Sequence, residues 1–107
     1  MSIERLRDYL EHLDALSLPF SAEELNEPLL TVYNLIEGAV RGQCTVIEIS
    51  PRQVAWRKQI DEENVGIFST PVSFREYFQL AIDRDPMIRE HLQVFEETNT
   101  TTVYHIG

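Results

Sequence analysis

"SPRQVAWRKQIDEEN", residues 50–64, reads either as a helix opened by Ser50 and Pro51 or as a turn followed by a strand. The fold depends on which. A helix would carry Asp61, Glu62 and Glu63 at its C-terminal end, where the aligned peptide dipoles leave partial negative charge. The turn avoids that conflict. Ser50 and Pro51 fit its first two positions, after which Val54, Trp56, Lys58 and Ile60 alternate with Ala55, Arg57 and Gln59. We therefore expect a strand over 53–60, an Asp-Glu-Glu-Asn turn, and a short strand from Val65 to Phe68. An antiparallel sheet can leave one face in water, so Arg57 is expected to be wet and Lys58 to snorkel from beside Trp56 and Ile60.

Upstream, Gln43 to Ile49 shows a period of two, with Thr45, Ile47 and Ile49 opposite Cys44, Val46 and Glu48. These β-branched residues predict another strand, completing a three-stranded meander. Before it lie two helices. Ser2 caps a first helix with Ile3, Leu6, Leu10 and Leu13 on one face. In "FSAEEL" Ser21 and Glu24 form a reciprocal capping box, and Phe20 staples against Leu25. Pro28 predicts a kink or restart near Asn26, and Gly38 offers an exit.

Downstream, Val72, Ser73 and Glu76 repeat the capping logic for a third helix with Phe74, Phe78 and Ala81 on its face. Asp85-Pro86 caps a fourth helix, expected to run to about Glu97 with Ile88, Leu92 and Phe95 as its stripe. "TTTVYHI" then has strand composition and needs sheet partners for its backbone. The predicted class is α+β: order ααβββααβ, a small, mostly antiparallel sheet covered by helices, in one domain spanning 1–107.

Charge is distributed unevenly. The chain of 107 residues has formal charge −9, from eighteen acidic and nine basic residues. Residues 1–40 and 61–107 are each net −6, whereas 41–60 is net +3 through Arg41, Arg52, Arg57 and Lys58. An acidic exterior repels nucleic-acid phosphate, so direct nucleic-acid binding through 52–58 is not expected. No apolar run approaches the roughly 20 residues that cross a bilayer. The lone Cys44 excludes an internal disulfide and a cysteine-rich zinc site, and fits a reducing, cytoplasmic location.

Catalytic material is sparse. A Cys44 thiol with His91 or His105 is one possible hydrolase or transferase pair, but no nucleophile-elbow motif accompanies it. Asp8 and His12 stand one helical turn apart, a spacing that is weak as a metal signature. No cofactor or metal is expected. The reading that fits best is a noncatalytic protein-binding module, an adaptor, inhibitor or regulatory subunit. Its surface would comprise Arg52, Trp56, Arg57 and Lys58, because Trp and Arg carry disproportionate energy when desolvated at interfaces. The expected partner is another protein or a second copy of the chain. A second surface of Glu4, Asp8, Glu11, Asp14, Glu23, Glu24 and Glu27 could instead engage a basic protein or mimic nucleic-acid charge.

Overall fold

The computed structural model describes residues 3–71 and 74–107. The expected caps at Ser2 and Ser73, and the Val72 staple, lie outside the described residues. The elements are α1 (Ile3–Glu11), a 3-10 turn at Ala15–Ser17, α2 (Glu27–Arg41), β1 (Val46–Ser50), β2 (Gln53–Arg57), β3 (Asn64–Ser69), α3 (Phe74–Arg84), α4 (Pro86–His91), β4 (Leu92–Glu97) and β5 (Thr102–Ile106). The domain is α+β, with helices packed against an antiparallel sheet in the order ααβββααβ plus one further strand, β4.

Residues 50–64 form a turn and a strand. Ser50 pairs with Gln53, so Pro51 and Arg52 make the β1–β2 turn. The strand ends at Arg57, short of Ile60, because the chain then curls: Arg57 Nη1 donates to the Ile60 carbonyl at 2.7 Å. The sheet order is β3-β2-β1-β5-β4. The helices cover the face bearing Ile47, Ile49, Val54, Tyr104 and Ile106, which form one buried cluster with Leu6, Leu10, Leu29, Ile36, Phe78 and Ile88. Val46, Ala55 and Val103 alternate to the other face and are buried outside that cluster.

The fourth helix is shorter than its stripe suggests. It stops at His91, and Leu92–Glu97 becomes a strand paired with β5. Leu92 still points inward, but Val94 and Phe95 are more than half exposed. A helix to Glu97 would have left the outer backbone groups of β5 unpaired, and the β-branched and aromatic Val94-Phe95 pair is well suited to a strand.

The Ser21 capping box forms, with Ser21 N–H donating to Glu24 Oε1 at 3.1 Å and Glu24 N–H to Ser21 Oγ at 3.3 Å. It closes only a turn. The helix proper restarts with Asn26 as its cap, whose Oδ1 accepts from Leu29 N–H at 2.9 Å, and with Pro28 in the first turn where no amide donor is needed. It also runs past Gly38. Cys44 N–H donates to the Ala39 carbonyl and Gln43 N–H to that of Val40, a Schellman closure that places Gln43 at φ 60°. A side chain is strained there, so Gln43→Gly is expected to stabilise the domain by about 1 kcal/mol, read as a higher urea midpoint with unchanged slope.

One buried polar node joins three helices. Asp85, 2% exposed, accepts from Tyr9 Oη at 2.6 Å and Tyr33 Oη at 2.7 Å through Oδ2, and from Met87 N–H at 3.0 Å through Oδ1. Burial, then the bond to Asp85, raises the pKa of both phenols well above the ordinary 10.0. Burial also pushes Tyr104 up to about 12. Because these folded-state values exceed the unfolded ones, the associated stability is fully present below about pH 10 and is lost as pH rises through the raised values. The urea midpoint should therefore fall above about pH 10, and fall less steeply in Tyr9→Phe.

Candidate interaction surface

The β2–β3 hairpin presents two chemically different faces. Trp56 and Phe68 lie on the helix-covered face, their ring centroids 4.5 Å apart. The Trp56 indole occupies the space above Gly38 of α2, where a Cβ would overlap ring atom Cη2 and stand 2.9 Å from Cζ2. Trp56 is thus half-buried and packed against the core, with Nε1 buried and, among the described residues, without a hydrogen-bond partner.

Arg57 points to the opposite face and is not wet. Its side chain is 19% exposed, and Nη2 lies 3.4 Å from Glu48 Oε2 on the neighbouring strand. Its charge is therefore matched by Glu48 rather than by Asp61, Glu62 or Glu63. Arg52 and Lys58 are exposed at opposite ends of β2, and among the described residues neither side chain is in an ion pair. The four residues are therefore brought into one strand region but not onto one face.

What the residue pattern missed is the edge beside them. β3, Asn64-Val-Gly-Ile-Phe-Ser69, is a terminal strand without a single charge, with Val65 55%, Ile67 59% and Phe68 37% exposed. Uncharged edge strands invite pairing with another chain, and proteins ordinarily blunt them. The other edge is blunted: β4 carries Glu96 and Glu97 and a register shift between Val94 and Glu96. On β3 a shift occurs only at its start, where Val65 has no opposite residue on β2. The absence of charge from Asn64 to Ser69 was legible. That β3 would lie at an edge was not, because β5 takes the place beside β1.

The pattern of backbone bonds shows which groups the edge offers. Thr70 N–H donates to the Arg52 carbonyl at 2.9 Å, one step beyond the Gln53–Ser69 pair. In an antiparallel ladder bonded pairs alternate, so Phe68 and Gly66 turn their amides toward β2. Ile67 and Ser69 turn theirs outward.

The candidate catalytic groups are dispersed. Cys44 is buried, its thiol contacts the Gly42 carbonyl at 3.8 Å, and burial raises its pKa, which disfavours the thiolate nucleophile. His91 is also buried, with Nδ1 3.1 Å from the Gly107 carbonyl, whereas His105 is exposed. Among the described residues no hydrogen bond joins Cys44 to an imidazole. His12 pairs with Asp8 of its own turn: a bond to the Asp8 carbonyl, then the nearby carboxylate, raises its pKa. Among the described residues no group of three or more His, Cys, Asp or Glu side chains could hold a metal ion.

On the acidic helical side Glu24 is tied to Arg84 and to Ser21, which lowers its pKa, chiefly through the Ser21 backbone bond. A surface cleft of about 490 Å³ between α3 and the β4–β5 turn contains Arg75, but Glu97 and the Asn99 carbonyl already occupy its guanidinium. No described helix is long and apolar enough to cross a membrane. No protein-family model, curated protein or solved structure matches this chain.

Proposed function

We propose that this chain is a noncatalytic protein-binding module whose recognition surface is the sheet region around Trp56, centred on the free edge of β3. One observation carries the reading: a six-residue edge strand is uncharged and exposed, with its register shift confined to its start, while the opposite edge carries two glutamates and a shift within the strand. Trp56 acts from behind, holding Phe68 and fixing the plane of the hairpin. Arg52 and Lys58, in no ion pair among the described residues, flank the edge with positive charge in a chain of net charge −9 and give it a direction. Such an edge binds by strand addition, in which backbone bonds give affinity and alternate side chains give selectivity. A cytoplasmic setting is part of the reading, supported by the lone buried thiol.

The test is capture from native cell extract with the parent chain and with Ile67→Asp. The Ile67 side chain is mostly exposed, so the variant should remain folded with at most a small fall in its thermal midpoint while losing the captured protein, because a charge placed on an edge strand opposes the addition of another strand. Equal capture by both would reject β3 as the surface.

A further inference from the structure

We propose that β3 pairs with β3 of a second copy, antiparallel about a two-fold axis through Ile67, joining two five-stranded sheets into one. This rests on β3 being the binding surface, and it names the partner. The outward groups fix the parity of the register. Ile67 and Ser69 offer their amides and carbonyls to the edge, and Val65, the unmatched residue of the register shift, lies two positions before Ile67. An antiparallel pairing of Ile67 with its own copy sets Val65 opposite Ser69 and Ser69 opposite Val65. The bonded pairs then draw on the outward groups of Ile67 and Ser69, with the bulged Val65 set opposite Ser69. Pairing with opposite parity would bring together groups already committed to β2.

Among the registers of that parity, charge selects the one centred on Ile67. Asp61, Glu62 and Glu63 precede β3, and Arg52 sits beside its far end, next to Thr70. Among the described residues none of these four side chains is in an ion pair. Within one chain a strand's length separates Arg52 from the acids. In the antiparallel pair Thr70 meets Asn64 of the other copy, so Arg52 lies about two strand spacings, ~10 Å, from the chain preceding that residue. Extended arginine and glutamate side chains span that gap. Each copy therefore places its Arg52 against the other's Glu63, twice by symmetry. A parallel pairing would set acids against acids. At physiological ionic strength the net repulsion of two chains of −9 is screened over roughly 8 Å, while contact pairs persist.

Sedimentation equilibrium of the full chain, across a concentration series at physiological salt, tests this. The parent should self-associate to twice the chain mass. Ile67→Asp faces two carboxylates at the axis and should weaken association on the order of a hundredfold. Arg52→Glu alone and Glu63→Arg alone each create two like-charge contacts and should weaken it roughly tenfold. Mixing those two variants should restore parental affinity, because only the mixed pair regains both attractions. Thermal unfolding of each variant confirms that it remains folded. A monomeric parent, or a mixture no tighter than either variant alone, overturns the pairing. If the parent is monomeric and Ile67→Asp still loses a captured protein, the binding surface stands and only the second copy is wrong.

Discussion

Asp85→Ala should lose about 3–5 kcal/mol of stability, a large part of the 5–15 kcal/mol that holds a small domain together. The first loss is the cap of α4, about 1 kcal/mol, because Oδ1 no longer receives Met87 N–H. The second is larger. Tyr33 is fully buried, and its hydroxyl would remain in the interior without an acceptor, at about 1–3 kcal/mol. Tyr9 is part-buried and loses the same oxygen, with water able to repair some of the damage. Asp85→Asn separates the two roles, since asparagine caps helices as well as aspartate does. Its amide has one acceptor oxygen where the node uses two, one for the cap and one for both phenols. Asp85→Asn should therefore still lose about 1–3 kcal/mol in urea unfolding. A neutral result would reduce Asp85 to a cap.

Gly38→Ala should destabilise the domain by about 1–3 kcal/mol, although alanine in a helix interior ordinarily gains about 1 kcal/mol over glycine. The sign reverses because the new methyl would occupy the volume of the Trp56 ring. The ring has little room to retreat. On its other side a Cβ at Gly66 would stand 3.1 Å from Trp56 Cε3, and Phe68 packs against the indole. Overpacking of this kind displaces backbone or forces an unfavourable rotamer. The contact can be isolated by repeating Gly38→Ala in a Trp56→Phe background, where the smaller ring leaves space for the methyl. The cost should shrink there by at least about 1 kcal/mol. Equal costs in both backgrounds would place the strain elsewhere.

Where local chemistry decided the structure, it could be read in the residues. The β1 alternation, the Ser50-Pro51 turn and the Asp85-Pro86 cap each depend on groups close in sequence, and each forms. The Ser21–Glu24 box shows the limit of that reading. Its reciprocal bonds are made, yet Asn26 and Pro28 begin the helix anew and Glu24 is drawn to Arg84 across the fold. Ile88, Leu92 and Phe95 suit a helical stripe, but only the distant β5 decides that Leu92–Glu97 should extend.

The proposed surface was partly legible for the same reason. Alternation separated Trp56 from Arg57 correctly. It could not reveal that Gly38 makes room for the indole or that Glu48 draws Arg57 down onto the sheet. Nor could it show that an inserted β5 leaves β3 at the rim. Edge status belongs to the strand order, which no single strand encodes.

Amide hydrogen exchange along β3, resolved residue by residue in dilute protein, tests most directly whether that edge is open. Thr70, Phe68 and Gly66 should exchange slowly, because their N–H groups bond to β2, while Ile67 and Ser69 exchange fast. Raising the protein concentration or adding a captured partner should slow Ile67 and Ser69 and leave Gly66, Phe68 and Thr70 as they were. Uniform protection from Gly66 to Thr70 at high dilution would mean that the edge is already covered, and the binding surface would have to be sought elsewhere.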